Sequence, residues 1–305
     1  MTIKISKFSI LNHSGLNGSG SNGPVLNGSR QGGFFNLPND NMIKTIGVAT
    51  LLCLVCSIIV SGAAIVLKPQ QVANKLLDKK RNILLVAGIS DESKTVDELF
   101  SQIDTRVVDM STGKFTDAVN AETFDQRKAA NDAEYRVGLS KSQDIASIGA
   151  ISKYGNVYLV RDGEAVSKII LPIRGYGLWS TMYGFIALEN DARTVSGITF
   201  YEHGETPGLG GEIENKKWQA SWSGKLIADV QGNPELRLVK GGVTESMSNT
   251  EYKVDGLAGA TLTSNGVSNL IRFWMGEDAF GPFLGRVRSA DGQISMITSI
   301  NSEKG

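Results

Sequence analysis

The chain has 305 residues, with 31 Lys and Arg balanced by 31 Asp and Glu, so it carries no net charge and lacks the basic footprint of a nucleic-acid binder. Two cysteines and two histidines are too few for a disulfide scaffold or for a zinc site of four cysteines or three histidines. Hydrophobic residues at 41% suffice for a real core, and 35 glycines, well above the ~7% average, imply many loops with close backbone approach.

Residues 1–42 read as a disordered segment. Asn12, Asn17, Asn22 and Asn27 recur every five residues among Ser and Gly, with too few large apolar side chains to offset the entropy of ordering. His13 lies within it and receives no role. Residues 45–67 then contain no charge and include Leu51, Leu52, Leu54, Val55, Ile58, Ile59, Val60, Ile65 and Val66. At about 1.5 Å per residue this run covers a hydrocarbon layer of ~30 Å, so residues 43–68 are predicted to form one transmembrane helix. A cleaved signal peptide would have a shorter apolar region nearer the N-terminus. Gly62, Ala63 and Ala64 make a small-residue patch on it. Cys53 and Cys56, three apart, share a helix face. They read as small apolar residues of a membrane span, the alternatives being a shared metal or a partner's thiols. Arg30 and Lys44 precede the span, while Lys68, Lys75, Lys79, Lys80 and Arg81 follow it. That bias favours a cytoplasmic C-terminal domain, by a rule that weakens for long translocated domains.

Residues 69–288 have the size of one domain, with a loose tail predicted for 289–305. Val72, Leu76, Ile83 and Leu84 keep a helical period, predicting an amphipathic stalk. Strand-like runs at 156–160, 166–172, 182–188 and 195–201 are separated by turn pairs such as Asp162-Gly163 and Asn190-Asp191. Residues 215–222 and 264–274 read as helices. The fold class that follows is α+β: one N-terminal transmembrane helix and a mostly antiparallel-sheet domain.

Three Gly-rich segments carry the candidate chemistry: 175–180 (Gly175 to Ser180), 205–211 (Glu205 to Gly211) and 255–264 (Asp255 to Ser264). Each puts glycine beside a residue able to flank a flat ring or donate a hydrogen bond. Val267, Leu270, Ile271 and Trp274 fall on one helical face, so the last segment should open a helix capped by Thr263 or Ser264. Thr261 would then lie just before a helix N-terminus, where free N–H groups and the dipole favour a phosphate. Taken locally, a capping Thr in an ordinary strand–loop–helix junction explains the same pattern. His203, beside the second segment, reads as a neutral surface or core histidine.

Together these segments resemble the NqrC family, the FMN-binding subunit of the sodium-translocating NADH:quinone reductase (Nqr), over residues 42–288. The run 54–61 (Leu-Val-Cys-Ser-Ile-Ile-Val-Ser), the run 204–211 (Gly-Glu-Thr-Pro-Gly-Leu-Gly-Gly) and Gly281-Pro282-Phe283-Leu284 carry the likeness. The RnfG component of the related Rnf complex shares only the shorter motifs. In such proteins a flavin transferase joins FMN by a phosphodiester to the Thr of an Asp-x-x-Ser/Thr-Gly-Ala-Thr motif. The resemblance puts that bond on Thr261, with Asp255 opening the motif and Ala258 replacing its usual hydroxyl residue. It also implies ring contacts from Leu178, Trp179, Thr206 and Leu209 and a flavin-side cation at Lys240. Gly208, Gly259, Ala260 and Thr263 complete the candidate cofactor contacts, and no metal site is assigned.

Physically, Trp179 and Leu209 offer flat apolar contact, while Lys240 would favour an anionic reduced flavin. The implied activity is electron carriage through FMN, with no residue of this chain acting as acid or nucleophile. NADH and quinone would bind other subunits, since no Gly-x-Gly-x-x-Gly strand–helix fingerprint is present. The implied place is the inner membrane of a Gram-negative bacterium, flavin domain outside, contrary to the charge bias. The alternatives are an Rnf-type subunit and a non-redox anchored binding or structural module.

Overall fold

The computed structural model describes Pro38 and residues 41–289, so the expectations for the N-terminal segment and the C-terminal tail fall almost wholly outside the described residues. The chain divides between Leu67 and Lys68 into two compact units. Helix α1 (Met42–Ala87) begins in the first, where the Asn41 side chain accepts from the amides of Ile43 at 2.9 Å and Lys44 at 3.3 Å. This helix is long and apolar enough to cross a membrane, and its most apolar window buries nothing against the chain.

In the second unit the elements are α2 (Val96–Phe100), β1 (Ile103–Asp109), α3 (Gln126–Ala129), β2 (Arg136–Gly138), β3 (Ala150–Ser152), β4 (Tyr154–Asp162), β5 (Ala165–Tyr176), β6 (Thr181–Glu189), β7 (Val195–Glu202), α4 (Lys216–Ala220), β8 (Arg237–Val239), β9 (Lys253–Asp255), α5 (Thr261–Trp274) and α6 (Gly281–Ser289). The main sheet has the order β1-β4-β5-β6-β7, every pair antiparallel. The mostly antiparallel α+β fold is the one expected, and the four predicted strands are β4 to β7, each extended by one to four residues at an end. β8 and β9 form a separate parallel pair.

Alternation along the strands gives the sheet two apolar faces. Val157, Leu159, Ile169, Leu171, Ile186 and Leu188 lie in the larger core together with α5. Tyr158, Ile170, Phe185 and Ala187 lie in a second cluster with Ile83, Leu84, Val86 and Ala87 from the end of α1. The sheet is thus the middle of three layers. The stalk is helical as predicted, but Val72 and Leu76 remain exposed and only Ile83 and Leu84 of the periodic set are buried. Lys80, whose ammonium lies 2.5 Å from Asp97, joins the stalk to α2. The helix expected over 215–222 is shorter: α4, with Asn215 as its N-cap accepting from the Lys217 amide.

Candidate functional site

The three Gly-rich segments meet at one end of the main sheet. The first is the hairpin turn between β5 and β6, closed by the Gly177 amide donating to the Ser180 carbonyl at 2.8 Å. The second follows β7 and turns where Leu209 and Gly211 both donate to the Thr206 carbonyl, at 3.1 and 2.9 Å, with Gly208 at φ +77. The third leaves β9 and enters α5 through Gly259 at φ +72. An added Cβ on Gly259 would lie 2.9 Å from the Leu209 side chain, so the second and third segments touch there. Lys240 is exposed directly after β8. Its following turn is held by Asp255, which accepts the Val243 amide at 2.7 Å.

The start of α5 departs from the sequence reading. The helix begins at Thr261, with Ala260 as N-cap, and no side chain caps it. Thr263 and Ser264 are not the caps because both are turned inward. Ser264 accepts the Leu257 amide at 2.9 Å, and Thr263, with no exposed surface, donates its hydroxyl to Glu205 at 2.6 Å. Tertiary demands have overridden local capping preference. Thr261 is instead the first residue of the helix, exposed, and its hydroxyl makes no hydrogen bond among the described residues. The predicted core face of α5 is as expected: Val267, Leu270, Ile271 and Trp274 are buried.

Of the other candidate residues, Trp179 is 65% exposed, and Leu178, Thr206, Gly208, Leu209 and Gly259 also lie at the surface. Leu262, beside Thr261, and Tyr176, beside the first turn, add two further exposed large side chains. Ala260 is buried, and Thr263 faces the interior. His203 is structural: its Nδ1 accepts the Glu205 amide at 3.1 Å and its Nε2 lies 2.9 Å from Glu214.

Sequence reasoning missed Glu205. Its carboxylate is buried and accepts from the amides of Leu178, Trp179 and Ser180, at 3.1, 2.9 and 3.3 Å, as well as from Thr263. Burial alone would raise its pKa, but the hydroxyl of Thr263 and the amides of Trp179, Leu178 and Ser180 outweigh it and hold it below the usual glutamate range. A carboxylate depressed in the folded state adds stability that is complete above the unfolded-state value and lost as pH falls through the folded one. Replacing Glu205 by Gln should therefore flatten the acid limb of a melting-temperature profile below about pH 4.5.

Gly266 shows how closely α5 approaches the first turn. A Cβ there would lie 2.5 Å from the Tyr176 carbonyl oxygen and 3.1 Å from the Gly177 Cα. In an open helix, Gly→Ala would stabilise by about 1 kcal/mol. Here the obstacle is backbone, so overpacking of about 1–3 kcal/mol dominates. Gly266→Ala is expected to lower the melting temperature, which thermal denaturation checks.

Comparison with known proteins bears directly on this constellation. The C-subunit of the Na(+)-translocating NADH-quinone reductase from Vibrio vulnificus is 54% identical over 251 residues, covering 82% of this chain and 97% of the relative. Its counterpart from Pseudomonas aeruginosa is 48% identical over 256 residues, covering 83% and 98%. The chain belongs to the NqrC family, the C-subunits of Na(+)-translocating NADH-quinone reductases. That family supplies one component of an oxidoreductase complex. Residues 177–276 match the FMN-binding domain family, a span holding all three Gly-rich segments but for Gly175 and Tyr176. The crystal structure of Shewanella oneidensis NqrC superposes with a TM-score of 0.65 at 34% identity, covering 71% of this chain and 99% of that one. The equivalent crystal structure from Parabacteroides distasonis gives 0.56 at 25% identity, covering 72% and 96%.

Proposed function

We propose that this chain is a membrane-anchored electron carrier whose FMN is esterified through its phosphate to the Thr261 hydroxyl. The observation that carries this reading is an exposed hydroxyl, unbonded among the described residues, at the first position of a helix with no side-chain cap, close to exposed apolar side chains. The donor set fits the group: the phosphodiester would keep one negative charge at the helix N-terminus, a placement stabilising by about 0.3–1 kcal/mol at the surface. Trp179, Leu178 and Leu209 supply apolar contact for a flat ring, Thr206 and Gly208 shape the turn beside it, and Gly259 and Ala260 let the backbone approach. Lys240 would contribute positive charge. The amide of Thr263 faces the helix end while its side chain stays committed to Glu205. When bound, FMN supplies reversible electron transfer; the protein's own residues tether it, exclude water from one side and set the local field.

In this reading the chain works beside other membrane subunits of the reductase, which bind NADH and quinone, and a separate flavin transferase makes the ester. α1 crosses the inner membrane once, over residues 43–68, with the flavin domain, residues 69–288, on the periplasmic side. The test is the mass of the intact chain matured with a flavin transferase, followed by mapping of the tryptic peptide that holds Thr261. One FMN increment on that peptide is expected, with fluorescence of the denatured chain under ultraviolet light. A chain bare at that oxygen would leave a non-redox anchored module.

A further inference from the structure

Glu205 belongs to none of the exposed groups assigned above, yet its carboxylate is where the three segments join. Only 5% of the residue is exposed. Oε1 takes the amides of Leu178, Trp179 and Ser180, and Oε2 takes the Thr263 hydroxyl at 2.6 Å and a share of the Leu178 amide at 3.2 Å. Two glycines wall the carboxylate in: a Cβ on Gly177 would lie 2.5 Å from Oε1, and one on Gly210 would lie 2.7 Å from Oε2. A second link runs beside it, the Gly204 amide donating to Ser180 Oγ at 2.6 Å.

The donors explain the residue type. Three N–H groups and one O–H converge, and an ionised carboxylate offers only lone pairs, so all four are satisfied. An amide would turn two hydrogens toward other donors. The same three amides belong to the turn that carries Leu178 and Trp179 outward, and Thr263 belongs to the same helical turn as Thr261. Holding both ends on one anion fixes the turn against the helix start.

We infer that Glu205 is the positioning residue of the flavin site, clamping the 177–180 turn to the first turn of α5 and placing a fixed negative charge behind the backbone of Leu178 and Trp179. This rests on the flavin reading above. A buried anion near the ring opposes the arrival of an electron, so its field lowers the flavin potential. Thr263 supplies one donor and no charge.

The test uses the full chain matured with a flavin transferase, comparing wild type, Glu205→Gln, Glu205→Asp and Thr263→Val. Amide hydrogen exchange at 178–180 and the flavin midpoint potential are read alongside melting temperature. In Glu205→Gln, exchange at those amides should quicken on the order of tenfold or more. Its midpoint potential should move positive, with Glu205→Asp falling between it and wild type. Thr263→Val should quicken exchange and, with the charge of Glu205 kept, move the potential less than Glu205→Gln does. A folded Glu205→Gln chain with unchanged exchange and potential overturns the proposal, as does a loss of melting temperature accompanied by neither change. Should Glu205→Gln fail to fold, Thr263→Val decides: faster exchange at 178–180 supports the clamp and unchanged exchange overturns it. Exchange needs no flavin, so a wild-type chain carrying none would refute the proposed function and leave this arm standing.

Discussion

Thr261→Ala should abolish covalent flavin altogether while leaving the fold intact. The hydroxyl is exposed and bonds to nothing among the described residues, so its loss removes no internal contact. Alanine is also the better helix former, and the change in stability should stay within about 0.5 kcal/mol. Intact mass and in-gel fluorescence read the first effect and thermal denaturation the second. Thr261→Ser keeps an oxygen nucleophile and should retain attachment. A Thr261→Ala chain that still carries one FMN by mass would move the ester elsewhere and sink the assignment.

The largest stability effect is expected from Trp274→Ala. This side chain is buried at the end of α5, edge-on to Phe273 with ring centroids 5.5 Å apart and 5.6 Å from Phe280. Its indole nitrogen donates to the Arg174 carbonyl on β5 at 2.6 Å. Truncation would leave a cavity and an unmet carbonyl, a loss of about 3–5 kcal/mol. For a domain of this size that is a fall of about 6–20 °C in melting temperature. Because α5 opens with Thr261, flavin attachment should fall as the growth temperature nears the lowered transition. Denaturation of the variant and the mass-resolved fraction of flavinylated chain measure the two. A shift below about 1 kcal/mol would mean that Trp274 does not pin this helix to the sheet.

The parts legible in the sequence are those written in local period and composition. The uncharged run 45–67 could be read because a helix crossing hydrocarbon tolerates few charges. β4 to β7 could be read because apolar alternation and turn pairs mark hairpins within a few residues. β1 escaped because its Asp104 and Arg106 break the pattern; the structure pairs Asp104 with both Arg106 and Arg161, at 2.8 and 2.6 Å. The three-residue strands β8 and β9 are too short to carry a period and exist through their pairing. The helix start was misplaced because Thr263, an ideal cap by composition, is drawn inward by Glu205. Glu205 itself could not be found locally: its partners Leu178 and Thr263 stand 27 and 58 positions away.

Those separations bear on the order of events during synthesis. A nascent chain that has emerged only through Gly211, past β7, already carries the Glu205 carboxylate and the amides of the hairpin, but lacks the hydroxyl that completes its coordination. The final donor arrives with α5, on the same turn as the Thr261 oxygen. An enzyme that reads the assembled pocket would therefore act only once α5 has packed against the hairpin turn.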